Sequence, residues 1–539
     1  MKKLLVAGGV LVGGGLIALS VAPASAGPAA PSFKTQLLSG SSGFSEPRAT
    51  VLANGKRYLD TNATDGTEIV YASADGLTWR QTKGTPPQQI SPTTDVDIVS
   101  TRTGRIIASE LDFVPPISFK TAYSDNGGAT WTESSGTTYA DTDRQWLAVG
   151  PDDPTTHQPR VYLLFHNLLS GTLSHNMFVA TSTDGGKTFG PPVPVTIPGQ
   201  QDWLDLQCAD SGGPSNIFVD QRNGHVYVVF GTRSSPAGGC GAQPVEVNVV
   251  AANRVWVVEA DPNAATVVGG WQGHLAVNDT GPPAHITGMQ LAPGAVDAAG
   301  NVYVVYPESI NDYPDYNGAA IKVIHASPSS LDHWSAPSVV AHGGGPGNVL
   351  PHIIAGAPGK VDVAWYHGAP GPNNTILWYS MAAQSLDALK GSPHWQSVRL
   401  SDVLAEPTDQ DASALMGACM QGETATLNGF VCGRAADVYG IALDRCGSLL
   451  VTWPAQASIK KTDGTYVSQQ VGGPRILSCD KTTAVSPEQH NSAIPGLAAT
   501  GASPWAAAGG TALVMTTLAG VYVVRRRARR AASYAALHG

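Results

Sequence analysis

One turn, written three times, sets the limits on what this chain can become. The segments Ser73-Ala74-Asp75-Gly76-Leu77-Thr78-Trp79, Ser124-Asp125-Asn126-Gly127-Gly128-Ala129-Thr130-Trp131 and Ser182-Thr183-Asp184-Gly185-Gly186-Lys187-Thr188-Phe189 each follow a short β-rich stretch: Glu68 to Tyr71, Phe119 to Tyr123 and Met177 to Thr181. In each, a Ser hydroxyl and an Asp or Asn side chain can bond the turn's own N–H groups, Gly supplies a positive φ, and the aromatic residue opens the return strand. A hairpin turn that recurs with its anchoring aromatic marks a repeat of small β-units.

The series continues in weaker form. The closing aromatics are Trp79, Trp131, Phe189, Trp271, Trp334 and Trp395, separated by 52, 58, 82, 63 and 61 residues. Upstream of each lies a turn and an apolar strand: Arg57 to Leu59, Ile106 to Ala108, Val161 to Phe165, Val226 to Phe230, Val302 to Tyr306 and Val361 to Trp365. A seventh unit has Leu449 to Trp453, with Thr462 to Tyr466 as a degenerate closing turn. Strands in regular succession without helical periodicity predict an all-β chain, and four short strands per unit is the plan of a β-propeller. Seven blades are expected, with six as the alternative. Phe33 to Leu38 is expected to supply an outer strand to the last blade, so that both ends of the chain close the ring. Ser385 to Lys390 is the stretch that could form one helical turn.

The three turns resemble the Asp-box, or BNR, repeat of sialidases and related propellers, carried here by Ser73, Asp75 and Trp79, by Ser124, Asn126 and Trp131, and by Ser182, Asp184 and Phe189. Boxes sit between the third and fourth strands of a blade, so they are structural. A ligand pocket belongs on the opposite face, where first strands begin and second strands end. Those positions offer Glu46, Arg48, Asp95, Asp97, Asp143, Arg144, Trp146, Asn216, His285, His352, Arg434 and Asp437, with Asp60, Glu110, Asp112, His166, Glu308 and His367 at the exits. Among them Asp143, Arg144, Asp97, Asp437 and Glu308 are the catalytic candidates. Arg48, Trp146, His285, His352 and Arg434 are the candidates for substrate binding. Facing carboxylates suit general acid and base work in glycoside hydrolysis, and Arg suits a substrate carboxylate. The resemblance to sialidases implies an arginine triad, an Asp acid/base and a Tyr nucleophile. The family's Arg-Ile-Pro motif is absent, however; Glu46-Pro47-Arg48 stands near its place, and Tyr306, Tyr366 and Tyr439 receive no nucleophile role.

The ends read differently from the body. Lys2-Lys3, an apolar stretch and Ala24-Ser25-Ala26 predict a signal peptide over residues 1–26. At the other end, after the propeller at 27–480 and a linker at 481–496, the segment Leu497-Ala498-Ala499-Thr500-Gly501 precedes an apolar run over 504–524 and an Arg-rich tail at 525–539. That order resembles the sorting signal of Gram-positive surface proteins. It implies a transmembrane helix before processing, cleavage between Thr500 and Gly501 by a sortase, and attachment to a cell-wall peptide; Leu497, Thr500 and Gly501 carry the signal. The expected location is the cell wall or the outer face of the plasma membrane.

The chain carries 32 Lys+Arg against 41 Asp+Glu, a formal net charge of −9, and only 14% of its residues are charged, where about a quarter is usual. Two Lys leave with the signal peptide and five Arg with the tail, so the body holds 25 basic against 41 acidic residues, a net −16. That balance argues against nucleic acid as a partner. Cys208, Cys240, Cys419, Cys432, Cys446 and Cys479 all lie in the exported body and predict disulfides. Their spacing gives no zinc site. No cofactor is expected; Asp202 to Asp205 and Asp312 to Asp315 are the oxygen-rich stretches that could take Ca²⁺. The functional expectation is an anchored propeller that binds or hydrolyses an extracellular glycan at its axial pocket. The alternative is a non-catalytic surface module that binds protein or polysaccharide.

Overall fold

The alternation of apolar strands and Ser/Asp turns becomes, in a computed structural model of the chain, seven antiparallel sheets in sequence order around a ring. The structure describes residues 29–43, 45–88, 92–112, 117–168, 175–208, 214–235, 251–279, 285–287, 292–309, 318–372, 376–408, 426–427, 430–431, 440–455 and 463–478. The chain divides into two compact units, Met1–Pro495 and Gly496–Gly539; all described residues lie in the first. The expected signal peptide, linker, sorting pentapeptide, membrane helix and basic tail lie outside the described residues. Among those described, no helix is long and apolar enough to cross a membrane.

Blade one comprises Arg48–Val51, Arg57–Asn62, Glu68–Ser73 and Arg80–Gln81. Blade two comprises Pro92–Ser100, Ile106–Asp112, Ser118–Ser124 and Thr132–Glu133. Blade three comprises Thr142–Asp152, Pro159–Asn167, Met177–Ser182 and Val193–Pro194, and blade four Asn216–Val219, Val226–Thr232, Arg254–Ala260 and Gln272–Asn278. In blade five the first strand is split: His285–Thr287 and Gly294–Val296 pair with opposite ends of Val302–Ser309, which is followed by Ala320–Ala326 and Ser338–Ala341. Blade six comprises Asn348–Ala355, Val361–Pro370, Ile376–Ser385 and Gln396–Thr408. Blade seven takes Gly440–Leu443, Leu449–Ala455 and Gly464–Gly472 from the C-terminal part and Ser32–Leu37 from the N-terminal part. The two-ended closure and the seven blades are as the sequence leads one to expect. First strands of successive blades touch one another around the whole ring.

The core has the same sevenfold division. One apolar cluster fills each gap between neighbouring blades. Along Val226–Thr232 the alternation serves two gaps at once: Val226, Val228 and Phe230 pack towards blade three, while Tyr227 and Val229 pack towards blade five. A strand buried on both faces needs an unbroken apolar run, which is why second strands are the most legible elements in the sequence.

The turns close as their residues require. Asp184 accepts the Lys187 and Thr188 N–H groups, both at 3.0 Å, and Ser182 Oγ accepts the Gly186 N–H at 2.9 Å. Asp75 and Ser73 do the same at Leu77, Thr78 and Gly76, and Asn126 and Ser124 at Thr130 and Gly128. Two readings need correction. Ser385 to Lys390 is no helical turn: Ser385 Oγ donates to Asp387 at 3.1 Å and Asp387 accepts the His394 N–H at 2.9 Å, a Ser/Asp turn with an insertion before Trp395. The Thr462 to Tyr466 stretch is no closing turn either; from Gly464 it begins the third strand of blade seven. The Asp202 to Asp205 stretch lies on the helix Gln201–Cys208.

Candidate functional site

The face opposite the Ser/Asp turns is shaped by bulges at the start of first strands. In blade three, Asp143 pairs with His166 and Trp146 with Leu164, so three steps on one strand match two on the other. The extra residue takes Arg144 to φ 62°. Blade six repeats this between Val349 and His352, with Leu350 at φ 54°. A left-handed residue other than Gly costs about 1–2 kcal/mol, and bulges of this kind bend a strand and re-aim its side chains. Asp143 and Arg144 are the result in blade three: their side chains keep 22% and 11% of their exposure, beside neighbours that are almost fully enclosed.

Behind them stands Arg48 of blade one. Its guanidinium lies 4.5 Å from the centre of the Trp146 ring, and its Nε is 4.0 Å from Asp97 Oδ1. Asp97 in turn accepts the Ile98 N–H at 2.9 Å and the Leu147 N–H of blade three at 2.7 Å. Gln145 Nε2 donates to the Asp95 carbonyl at 2.6 Å, a second link between the same blades. Burial pushes the Arg48 pKa down, while Asp97, Glu46 and Asp95 hold it up; Arg144 adds repulsion. Burial raises Asp97, against the pull of Arg48 and the two N–H groups. Three blades thus meet at one cation, and an Arg on an aromatic face retains its charge without water.

Two further buried groups adjoin this centre. Asp60, directly opposite Arg48 in register, and Glu68 on the adjacent strand are both buried carboxyls. Burial drives both acids well above the usual carboxylate range, with Glu110 and Asp97 adding to the effect on Asp60. Burial and the neighbouring negative charges both favour the neutral form of these carboxyls. On the blade-three side, His166 Nδ1 and His175 Nε2 are 3.3 Å apart, and His166 Nε2 is 3.9 Å from Asp143 Oδ2. Burial holds both imidazoles neutral, with pKa values lowered to about 3; Arg144 contributes at His166 and His166 at His175.

The structure therefore brings together Arg48, Asp97, Asp143, Arg144 and Trp146. Glu308 lies apart, at the end of the second strand of blade five in an ion pair with Lys322. His352 is buried in blade six just after the bulge, at the place Trp146 holds in blade three. His285 pairs in register with Ser309 in blade five. Arg434 and Asp437 lie outside the described residues. Glu68, His175 and Gln145 were not singled out from the sequence. Glu68 had a signal, a lone acid opening an apolar strand; His175 had none.

Among the described residues no group of three His, Cys, Asp or Glu side chains could hold a metal ion. Asp205 is fully engaged by Arg254, the Trp256 indole, Ser235 and Gln201. Asp312 to Asp315 lies outside the described residues. Cys208 and Cys446 are disulfide-bonded; the other four cysteines, and with them the pairing, lie outside the described residues.

No family model matches the chain, and no curated protein does. Solved structures with a similar fold include an α-L-arabinofuranosidase of Fusarium graminearum in complex with an iminosugar inhibitor, at 9% identity over 83% of this chain and 98% of that chain, with a TM-score of 0.38. An α-L-arabinanase of Penicillium chrysogenum complexed with arabinobiose matches at 11% identity over 82% and 98%, with a TM-score of 0.37. A mutant lectin of Aleuria aurantia in complex with Fucα1-6GlcNAc matches at 12% identity over 70% and 99%, with a TM-score of 0.37.

Proposed function

We propose that this protein is an exported propeller that binds an extracellular glycan over Asp143 and Arg144, on the face where its first strands begin. The observation that carries this reading is the strained bulge. It holds an acid and a guanidinium side by side at the rim, in front of a rigid centre made by Arg48, Trp146 and Asp97. Sugar hydroxyls are bound by charged groups of both kinds, and backbone strain is retained where the surroundings enforce it for a purpose. Binding is favoured over hydrolysis by the state of the other acids. Asp97 is committed to two backbone N–H groups, and burial holds the enclosed Asp60 and Glu68 towards the neutral form. Most glycosidases, those with a Tyr nucleophile excepted, use two carboxyls flanking one bond.

The test is binding of the mature chain to a panel of glycans, together with release of reducing ends. Asp143→Asn and Arg144→Ala are each expected to weaken binding about tenfold or more, the worth of one charge-assisted hydrogen bond, with melting unchanged within a few degrees. Affinity that survives both changes would remove the site from Asp143 and Arg144.

The Ser/Asp turns, now four with Asp387, support reading these repeats as Asp-boxes of the sialidase type. The anchoring reading rests on the sequence of the C-terminal segment. Cleavage after Ala26 would place the new N-terminus at Gly27, five residues before the closing strand. Thr500→Ala should move the protein from the covalently bound wall fraction to the membrane; a protein still released only by wall hydrolases would end that reading. Disulfides Cys208–Cys240, Cys419–Cys432 and Cys446–Cys479 are the pairings that close the shortest loops, and peptide mapping without reduction would identify them.

A further inference from the structure

The acidic average of the body hides a cationic place among the described residues. On the face that carries the Ser/Asp turns, a groove of about 560 Å³ runs between blades one and two, lined by Lys56, Arg80 and Lys83 with Gln81, Thr82 and Asn126 among its other walls. Arg80 and Lys83 are exposed. None of the three cations takes part in an ion pair among the described residues. Lys56 is held in place from below: its Nζ lies 4.8 Å from the centre of the Tyr58 ring. The wall opposite comes close only because residue 127 is Gly. With φ +70°, a Cβ there would stand 2.7 Å from the Tyr58 hydroxyl and 3.3 Å from Lys56 Nζ.

Asp75 itself lines the groove, but its carboxylate and that of nearby Asp125 are already engaged. Asp75 spends its carboxylate on the Leu77 and Thr78 N–H groups and the Ser73 hydroxyl of its own turn. Asp125 is held by Arg105 at 2.6 Å and 3.2 Å. Most telling is position 126. Two turns line the groove: the blade-one turn keeps its acid, Asp75, whereas the blade-two turn has Asn126 where Asp184 and Asp387 stand in the turns elsewhere. Asn126 performs the same service, accepting the Thr130 N–H at 2.9 Å. The turn is preserved and one negative charge is removed from the cationic wall.

We infer that this groove is a second binding site, distinct from the Asp143 and Arg144 rim, and that its occupant is an acidic polysaccharide. Unpaired Lys and Arg take the acidic groups, and the amides and hydroxyls of Gln81, Asn126 and Thr82 suit sugar hydroxyls. Among the described residues the lining has no aromatic ring on which a nucleobase could stack, which favours a sugar chain over a single-stranded nucleic acid.

Titration of the mature chain with an oligogalacturonate of about ten units decides this; at that length the probe outreaches a groove of this volume. Binding is expected at low salt, weaker at high salt, with none to neutral dextran. Arg80→Gln with Lys83→Gln is expected to weaken it about tenfold, and Asn126→Asp about threefold, in keeping with one or two charge-assisted contacts. The turn tolerates Asp at the equivalent positions, so Asn126→Asp should melt as the parent does. The exposed pair Lys34→Gln with Lys187→Gln removes equal charge elsewhere and should leave binding intact. Absence of binding by the parent, an equal loss in the control pair, or equally tight binding of a single-stranded oligonucleotide of matching charge would each overturn the proposal.

Discussion

A chain shortened to begin at Ser39 is expected to melt about 10 °C below the parent, taking about 5 kcal/mol lost and roughly 2 °C per kcal/mol for a large domain. The strand Ser32–Leu37 is the outer member of blade seven, in register with Tyr466 to Gly472. Its removal breaks the ladder, at about 1 kcal/mol per backbone hydrogen bond. It also removes the bonds from Thr35 Oγ1 to the Leu400 carbonyl and to Ser468 Oγ, each 2.8 Å. Phe33 goes with it, uncovering the cluster that holds Trp453 and Tyr466. The strand Gly464–Gly472 would become an open edge able to pair with other chains. Phe33→Ala alone should cost about 2 kcal/mol, less than a fully buried aromatic, whereas exposed Lys34→Ala should stay within about 0.5 kcal/mol. Thermal unfolding with light scattering reads both the melting and the aggregation. A shortened chain that melts with the parent would mean that the ring is closed by its first strands alone.

The same closure shows which parts of this fold could be read in advance. A strand enclosed by blades on both sides must be apolar at every position, so Val226 to Phe230 and Val302 to Tyr306 stood out as runs. The turns stood out because Ser, Asp and Gly each answer a separate demand of a tight bend. Where insertions intervene, the signal fades: Asp387 does the work of Asp184, but its acceptor contact is with His394, seven residues on, rather than three or four. The split first strand of blade five was illegible for a related reason, since neither His285–Thr287 nor Gly294–Val296 is long enough to show a period.

The candidate site was legible as a set of strand ends and illegible as a set of contacts. Arg48, Asp97 and Trp146 lie about fifty residues apart in sequence, one to a blade, and the repeat spacing alone brings their strand entries to one side of the ring. Nothing in the spacing tells that Asp97 reaches the Leu147 N–H or that Arg48 lies on the Trp146 face. Those contacts depend on the bulge at Arg144, which shifts every later side chain of that strand by one position. Asp60 and Glu68 illustrate the same limit. Each could be seen as an acid beside apolar residues, but that they lie diagonally on adjacent strands, with Asp60 raising the pKa of Glu68, follows from the register of blade one.

Acid is expected to weaken the protein through His166 and His175, by up to about 2.7 kcal/mol per pH unit if both unfolded-state protons are excluded from the fold. Both rings have folded pKa values near 3, whereas an unfolded His titrates near 6.5. Between those values the unfolded chain binds more protons than the folded one. The pair's stabilisation is therefore complete above about pH 6.5 and falls as the pH drops from there towards 3. Other groups act in the opposite sense. Burial raises Asp60, Glu68 and Asp362, the last to about 7, and their contribution is lost as pH rises through the folded values. His225 and His274 are raised by Glu259, and His274 by Asp332 as well, so they too favour the folded state more in acid. The wild-type profile sums these terms, and the informative quantity is its difference from a His166→Gln, His175→Gln variant. In denaturant titrations at pH 7.5, 6 and 5, the variant should start less stable and close the gap as the pH falls. If the double variant does not fold, His175→Gln alone should show about half the slope, near 1.4 kcal/mol per unit. Parallel profiles would show that the rings are hydrated and not enclosed. Because both rings stay neutral in the folded protein down to about pH 3, this loss arises in the unfolded chain, and His166, 3.9 Å from Asp143 Oδ2, should leave glycan affinity in the parent unchanged over the same range.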